Sequence, residues 1–461
     1  MIRVPVIHLP EDVREILLLL EQHGYEAYIV GGCVRDSLLG VEPKDWDICT
    51  NATPDQIISL FGEENTIPTG IKHGTVTVKH NKSLFEVTTY RVDGKYSDSR
   101  HPDSVRFTPN LNEDLVRRDF TINAIAYNPR SGIVDPYGGQ WSLQFDHLIE
   151  AVGIKDSRFK EDPLRILRAI RFSATLGFPI ETETYIAMIN NLSGLEKISM
   201  ERISSEIIKI ISAPYAYEAI CQNDNGRIFR YIIPELEQEL ACSQNNKYHY
   251  TDVFHHTMDA LKNASTQHVF PDEWADEYVK MALLLHDVGK PMSKTTDDNG
   301  YDHFYGHAKF SAKIAEQILR RLRYSNQFID TVVELISNHD VEFVPTKPCA
   351  RRLLNRLGVD QVHRLLKLRE CDNRAHTHNA FAKFKDMTIP FSKILEEVIQ
   401  EEGTLKIKNL SINGTDIIHL GCNEGPMIGK TLAHLLDLVV DGSISNDRES
   451  LIKESKRFLG I

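Results

Sequence analysis

At 461 residues the chain is too long for one ordinary hydrophobic core, so two to four domains are expected. Its 41% hydrophobic and 26% charged residues describe a soluble globular protein, and no apolar run approaches the ~18–20 residues that span a membrane. A net charge of −12 argues against indiscriminate coating of DNA, so no DNA partner is expected. Local basic clusters (Arg117-Arg118, then Arg165, Arg168 and Arg171, then Arg351-Arg352) leave RNA open. The start, Met1-Ile2-Arg3-Val4-Pro5, lacks a signal-peptide apolar region. The seven cysteines are scattered and form no CxxC, which reads as reduced thiols of a cytoplasmic protein.

In chain order, residues 11–23 have helical spacing, with Val13, Ile16, Leu17 and Leu20 on one face. Residues 28–34 and 45–49 read as strands. The first runs into Gly31-Gly32-Cys33-Val34-Arg35-Asp36, and the second begins with Asp45-Trp46-Asp47. Two glycines let the backbone approach a bulky ligand, and Arg35 offers a fork of donors for phosphate oxygens. On a strand, Asp45 and Asp47 face the same side. Paired hard oxygens suit Mg²⁺, which binds one or two carboxylates plus substrate phosphates. Alone, an Asp-x-Asp is more often a solvated turn; the glycines and Arg35 upstream shift the balance toward a nucleotide-joining site.

Thr53-Pro54 starts a short helix over 54–61. Residues 75–78 and 84–90 alternate as strands around an Asn81-Lys82 turn. Glu86 lies on the second of these, either as a third carboxylate near the metal or as a surface acid. Residues 93–112, with Gly94, Pro102 and Pro109, read as a mobile loop. Residues 119–127 and 133–136 add sheet or helix. From about residue 161 the pattern turns helical almost throughout. Glu161-Asp162-Pro163-Leu164-Arg165 is expected to open a helix, with Asp162 and Arg165 neighbours on one face. The plain reading is an intrahelical ion pair. The functional reading is a base reader: cytosine and adenine both present an amino donor beside a ring-nitrogen acceptor, which a carboxylate and a guanidinium complement. Guanine and uracil present the opposite order, and buried mismatches cost about 1–3 kcal/mol each.

These motifs resemble the class II tRNA nucleotidyltransferase and bacterial poly(A) polymerase family. The matching elements are Gly31-Gly32-x-Val34-Arg35-Asp36, Asp45-x-Asp47, Arg117-Arg118-Asp119-Phe120-Thr121-x-Asn123-Ala124 and Glu161-Asp162-x-x-Arg165-x-x-Arg168, in family order. The resemblance implies a nucleotidyltransferase palm with Mg²⁺ on Asp45 and Asp47. It also implies a nucleotide bound by Gly32, Arg35, Arg118, Asp119, Asp162, Arg165, Arg168 and Arg171. The polar loop, with Asp93-Gly94-Lys95-Tyr96 and Arg100-His101-Pro102-Asp103, resembles the family's flexible loop, which is linked to a switch from CTP to ATP.

Further on, His255-His256, His286-Asp287 and Asp372 form a separate pattern, and Leu283 to Pro291 reads LLLHDVGKP. This resembles the HD-domain metal phosphohydrolases. The resemblance implies metal ligands at His256, His286, Asp287 and Asp372, with His307 and His339-Asp340 near a second ion. Imidazole with carboxylate suits Mn²⁺, Fe²⁺, Co²⁺ or Ni²⁺.

The expected fold class is α+β: an N-terminal mixed α/β palm, then an all-helical body containing an HD domain. The expected domains are a head over 1–150, a nucleotide-reading neck over 151–240, the HD domain over 241–400 and a tRNA-binding tail over 401–461. The expected function is addition of C, C and A to tRNA from CTP and ATP. Asp45, Asp47 and Glu86 are the catalytic candidates. The alternatives are an A-adding enzyme or poly(A) polymerase, and, in a different class, an RNA-end phosphohydrolase with a non-catalytic head.

Overall fold

The computed structural model describes residues 7–94, 104–224, 226–265, 269–401, 406–422 and 425–461. The chain divides into two compact units, Met1–Pro234 and Glu235–Ile461. Among the described residues no helix is long and apolar enough to cross a membrane.

The first unit opens with the helix Glu11–Gln22, whose Val13, Ile16, Leu17 and Leu20 are buried. Full burial of such side chains is worth roughly 1.5–3 kcal/mol each. Among the described residues nine strands follow in the head: β1 Ala27–Val30, β2 Ile48–Thr50, β3 Thr66–Gly70, β4 Thr75–His80, β5 Ser83–Thr89, β6 Arg91–Asp93, β7 Val105–Phe107, β8 Ala126–Asn128 and β9 Gly132–Val134. Seven of them form one mixed sheet in the order β3-β4-β5-β2-β1-β8-β9. Only the β2–β5 pairing is parallel. The expected β4–β5 hairpin is present, and Asn81 takes the left-handed conformation (φ 53°) that its tight turn demands. The expected helix over 54–61 is Pro54–Phe61, closed by a Thr53/Gln56 capping box.

Three expectations need correction. The strand over 28–34 stops at Val30, and a helix, Gly32–Leu38, begins in its place. Gly31 between them has φ 81° and ψ −127°, a conformation that only glycine adopts readily. The strand over 45–49 is only Ile48–Thr50; Asp45-Trp46-Asp47 leads into it outside the ladder, tied by the Val30 N–H donating to the Asp47 carbonyl at 3.0 Å. The helix from 161 is in fact two. Lys155–Glu161 ends, Asp162 is extended, and Leu164–Leu176 begins after Pro163. Proline forces the residue before it out of the helical region. The expected 93–112 loop is regular structure at both ends: β6 and β7 pair antiparallel, so Val105–Phe107 is strand, and the helix Leu111–Val116 begins inside it. Lys95, Tyr96, Arg100, His101, Pro102 and Asp103, the centre of the expected loop, lie outside the described residues. Residues 119–127 and 133–136 resolve into a single tight turn, Thr121–Asn123, and strands β8 and β9.

After the sheet, the helices Leu164–Leu176 and Met200–Ser212 pack together, which brings two distant charged stretches into register. Among its described residues the second unit is helical apart from loops and a two-stranded ladder, Thr295–Thr296 with Asp302–His303. Its helices Val253–Asn263, Glu277–Leu285, Asn326–Asn338 and Val359–Arg374 pack on one another, and His307–Arg321 packs on Asn326–Asn338. The tail has its own small core of Leu410, Ile412, Ile417, Leu432, Leu435, Val439 and Leu451.

Candidate active site

Asp45, Asp47 and Glu86 line one cleft of about 710 Å³, with Lys44, Trp46, Thr77 and Phe85. The parallel register places Ile48 beside Val87, so the residues just before them, Asp47 and Glu86, are neighbours at one end of the sheet. The cleft walls strip water from the Asp47 carboxyl and Glu86 and Asp45 repel it; together these outweigh Arg118 and push it above the usual carboxylate range. A carboxylate crowded by like charges in an open cleft is a site that a divalent cation relieves.

Arg118 connects the carboxylates to the glycines. A Cβ on Gly31 would sit 3.0 Å from the Arg118 guanidinium, so the glycine is required by contact as well as by φ. Asp114 is fully buried and accepts from Arg117 at 2.7 Å and from Arg118 at 3.3 Å. The Arg118 Nε makes no hydrogen bond. Gly32 starts the Gly32–Leu38 helix, and a Cβ there would sit 3.7 Å from the Arg35 guanidinium.

Three arginines converge on one ring that sequence reasoning missed. The guanidinium carbons of Arg35, Arg168 and Arg171 lie 5.1, 5.5 and 4.4 Å from the Phe172 centroid. Phe172 in turn meets Phe120 edge-on at 5.6 Å. Each arginine is held: Arg35 by Asp36 and by Asn123 at 2.8 Å, Arg168 by Asp119 at 2.7 Å, Arg171 by Glu206 at 2.7 Å. Asp119 is buried, and its oxygens accept from the Phe120 N–H, Asn123 and Arg168. Burial alone would raise its carboxyl; Arg168 and Asn123 overcome that and hold it well below the usual range. Asp119 therefore fixes Arg168 rather than facing open space.

The expected Asp162–Arg165 pair is not made. Arg165 donates to Glu161 at 2.7 Å and to the carbonyls of Arg158 and Arg117 at 3.1 and 3.2 Å. Asp162 instead accepts both guanidinium nitrogens of Arg202, at 3.3 and 2.7 Å, and the Leu164 N–H at 3.1 Å. The helix break at Pro163 is the reason, because three-residue spacing makes neighbours only within a continuous helix. A carboxylate has about four acceptor positions, so three contacts leave one for a ligand. Arg202 and Glu206 were missed by sequence reasoning. The one available signal was a glutamate, Glu206, on the buried isoleucine face of Met200–Ser212. Replacing Arg202 by alanine is expected to lower kcat/KM for CTP and ATP about tenfold and to loosen base selectivity, with lysine rescuing only part, since lysine cannot bind a carboxylate through two nitrogens. Steady-state kinetics with all four nucleotides checks this; equal losses with unchanged selectivity point to stability alone.

In the second unit, the expected ligands His256, His286, Asp287 and Asp372 do come together. His256 Nε2 lies 3.0 Å from Asp372 Oδ1 and 3.6 Å from Asp287 Oδ2; His286 Nε2 lies 3.3 Å from Asp287 Oδ2 and 3.5 Å from Asp372 Oδ1. All four are buried. Burial would lower the His286 ring, but Asp287 and Asp372 prevail and raise it to about 9. Lys290, also buried and not foreseen, places Nζ 2.6 Å from Asp287 Oδ2 and donates to Gln244 at 2.8 Å.

Comparison with known proteins follows the same division. Three family models match: a poly(A) polymerase head domain over 27–149, an RNA- and SrmB-binding segment of polymerase A over 177–240, and a tRNA nucleotidyltransferase domain 2 over 294–454. The CCA-adding enzyme of Anoxybacillus flavithermus is 45% identical over 448 residues, 96% of this chain and 96% of that protein. With several other relatives the aligned stretch covers about half their length, as for the CCA-adding enzyme of Geobacillus kaustophilus, 46% identical over 48% of this chain and 54% of that protein. Among solved structures, a CCA-adding enzyme of Bacillus stearothermophilus in complex with CTP superposes with a TM-score of 0.72 at 27% identity, covering 98% of this chain and 97% of that one. A relative of such identity aligned end to end decides the matter: this chain is a member of the CCA-adding enzyme family of tRNA nucleotidyltransferases.

Proposed function

We propose that the chain adds C, C and A to tRNA 3′ ends from CTP and ATP, without a nucleic-acid template. The observation that carries this reading is the pairing, in one unit, of the Asp45/Asp47/Glu86 cleft with an anchored Asp162 beside a fan of arginines. The end-to-end likeness to CCA-adding enzymes supports it. Asp45 and Asp47 hold magnesium, with Glu86 as the third carboxylate; bound there, the ion neutralises triphosphate charge and lowers the pKa of the attacking 3′-hydroxyl. Arg35, Arg118 and the Gly31-Gly32 backbone receive the triphosphate. Arg168 and Arg171, stacked against Phe172, supply positive charge and a flat wall beside the nucleotide. Asp162 accepts from the amino group of C or A while Arg165 donates to the ring nitrogen, so the protein reads the base edge itself. The 93–112 segment switches the site from CTP to ATP. The spans 1–150, 151–240, 241–400 and 401–461 serve as head, neck, HD domain and tRNA-holding tail. The seven free thiols fit a reducing, cytoplasmic setting.

An A-adding enzyme or a poly(A) polymerase shares these motifs, and the substrate separates them. With ATP and CTP supplied, a tRNA lacking its 3′ CCA is expected to grow by three nucleotides and stop, while an unstructured oligoadenylate is extended at least 100-fold more slowly. Gel-resolved extension measures both; long tails on the oligoadenylate favour the polymerase.

The second-unit cluster favours an additional reading. His256, His286, Asp287 and Asp372 form an N₂O₂ set that suits Mn²⁺, Fe²⁺, Co²⁺ or Ni²⁺. A buried histidine nitrogen and two buried carboxylate oxygens with no hydrogen bond are what an ion would satisfy. Such a centre suits hydrolysis of phosphate left on damaged RNA ends.

A further inference from the structure

Asp114 sits in the helix Leu111–Val116 between the core residues Leu111 and Leu115, with no exposed surface. Its Oδ1 accepts from Arg117 Nε and Nη2 at 2.9 and 2.7 Å and from the Arg91 N–H at 3.3 Å. Its Oδ2 accepts from Arg118 Nη2 at 3.3 Å. Burial pushes the carboxyl up, but the two guanidiniums prevail and hold it below the usual range. Taking a carboxylate out of water is costly, and well-packed apolar residues often replace a buried ion pair without loss of stability. Stability alone therefore does not account for this residue.

Arg118 supplies the reason. Its guanidinium is drawn by two carboxylates, Asp114 and Asp47. Asp114 holds it by Nη2. Its Nη1 lies by Gly31, where an added Cβ would sit 3.0 Å away, and its Nε makes no hydrogen bond. The side chain is thus anchored at one nitrogen and keeps the others for a ligand beside the bare Gly31 backbone. Were Asp114 neutral, the pull of Asp47 would go unopposed, and Arg118 would turn toward the acids instead. The same carboxylate also grips the first residue of β6 through the Arg91 N–H. Through Arg117 it steadies the peptide whose carbonyl accepts from Arg165 at 3.2 Å.

Resting on the assignment of Arg118 to the nucleotide, we propose that Asp114 is a positioning residue for CTP and ATP. It keeps Arg118 by Gly31 and off Asp47, so the guanidinium is in place before the nucleotide arrives. A donor placed beforehand spares the entropy of ordering it on binding. Asp114 touches no reacting atom and acts through Arg118.

The test is a double-mutant cycle on the full chain. It is read as KM and kcat for CTP, ATP and tRNA, and as CTP binding by titration calorimetry. Asp114→Asn keeps the size and removes the charge. It is expected to raise KM for CTP and ATP about tenfold and to weaken CTP binding equally, with kcat within threefold and KM for tRNA within twofold. Arg118→Ala should weaken CTP at least as much. Added to Arg118→Ala, Asp114→Asn should cost no more than a further twofold, because residues that act through one group are not additive. Equal losses in both backgrounds assign Asp114 to the fold alone and overturn the proposal. An unchanged KM for CTP in Asp114→Asn overturns it too. Thermal unfolding of each variant reports the fold. If Asp114→Asn does not fold, the cycle is run with Asp114→Asn and Arg117→Gln together, which removes both charges of the closest buried pair; the same coupling to Arg118 is expected, and additivity again overturns the proposal. Unweakened CTP binding in Arg118→Ala itself overturns the nucleotide assignment of Arg118, a failure distinct from additivity.

Discussion

Replacing Asp45 and Asp47 together with alanine is expected to abolish incorporation of both CTP and ATP, a loss of at least roughly 10³-fold. Removing the carboxylates removes the metal's contribution to transition-state charge, which is worth several kcal/mol, and each 1.36 kcal/mol is tenfold in rate. Stability should not fall, because Asp45 is exposed and the Asp47 carboxyl is already desolvated and crowded by Glu86 and Asp45. Relieving that crowding makes the double variant as stable as the parent or slightly more so. Thermal unfolding alongside incorporation kinetics separates the two effects. Any hydrolysis at the second-unit cluster should persist, since its residues are drawn from other helices. Incorporation within tenfold of the parent contradicts the assignment of the cleft.

The second large effect concerns which base is accepted. Asp162→Asn keeps the shape but exchanges one acceptor for a donor, so it can meet the carbonyl of uracil or guanine. Incorporation of UTP and GTP relative to CTP and ATP is expected to rise roughly ten- to hundredfold, the equivalent of the ~1–3 kcal/mol that a mismatched buried polar group costs. Asp162→Ala is expected to relax selectivity as well, with a larger loss of rate, because it also leaves the Arg202 guanidinium without its carboxylate. Competition assays with mixed nucleotides read the ratio directly. Unchanged ratios in Asp162→Asn reject reading of the base edge by this carboxylate.

The candidate residues that the structure brings together were largely legible in the sequence, and their partners were not. Gly31 announced itself because a Gly-Gly before an arginine has few other uses, and the structure gives it a positive φ and a close contact with Arg118. Asp45, Asp47 and Glu86 were legible as acids, although β2 begins only after the pair. The expected contact of Asp162 with Arg165 is absent for a local reason: Pro163 divides the helix, so helical spacing no longer makes neighbours. Its true partner, Arg202, is 40 positions away, and nothing periodic links the two. Phe172 read as one more apolar residue of a helix, yet three guanidiniums gather on its ring. In the second unit the His-Asp dipeptide identified the cluster, but the groups around Asp287 come together only when five helices meet.

The central claim is that a single protein site adds C twice and then A once. The direct measurement offers purified protein a tRNA lacking its 3′ CCA, with CTP alone, ATP alone, or both, and resolves product lengths. CTP alone should add two nucleotides, ATP alone none, and the two together three and no more. A tail of many adenylates, or growth with ATP alone, contradicts it.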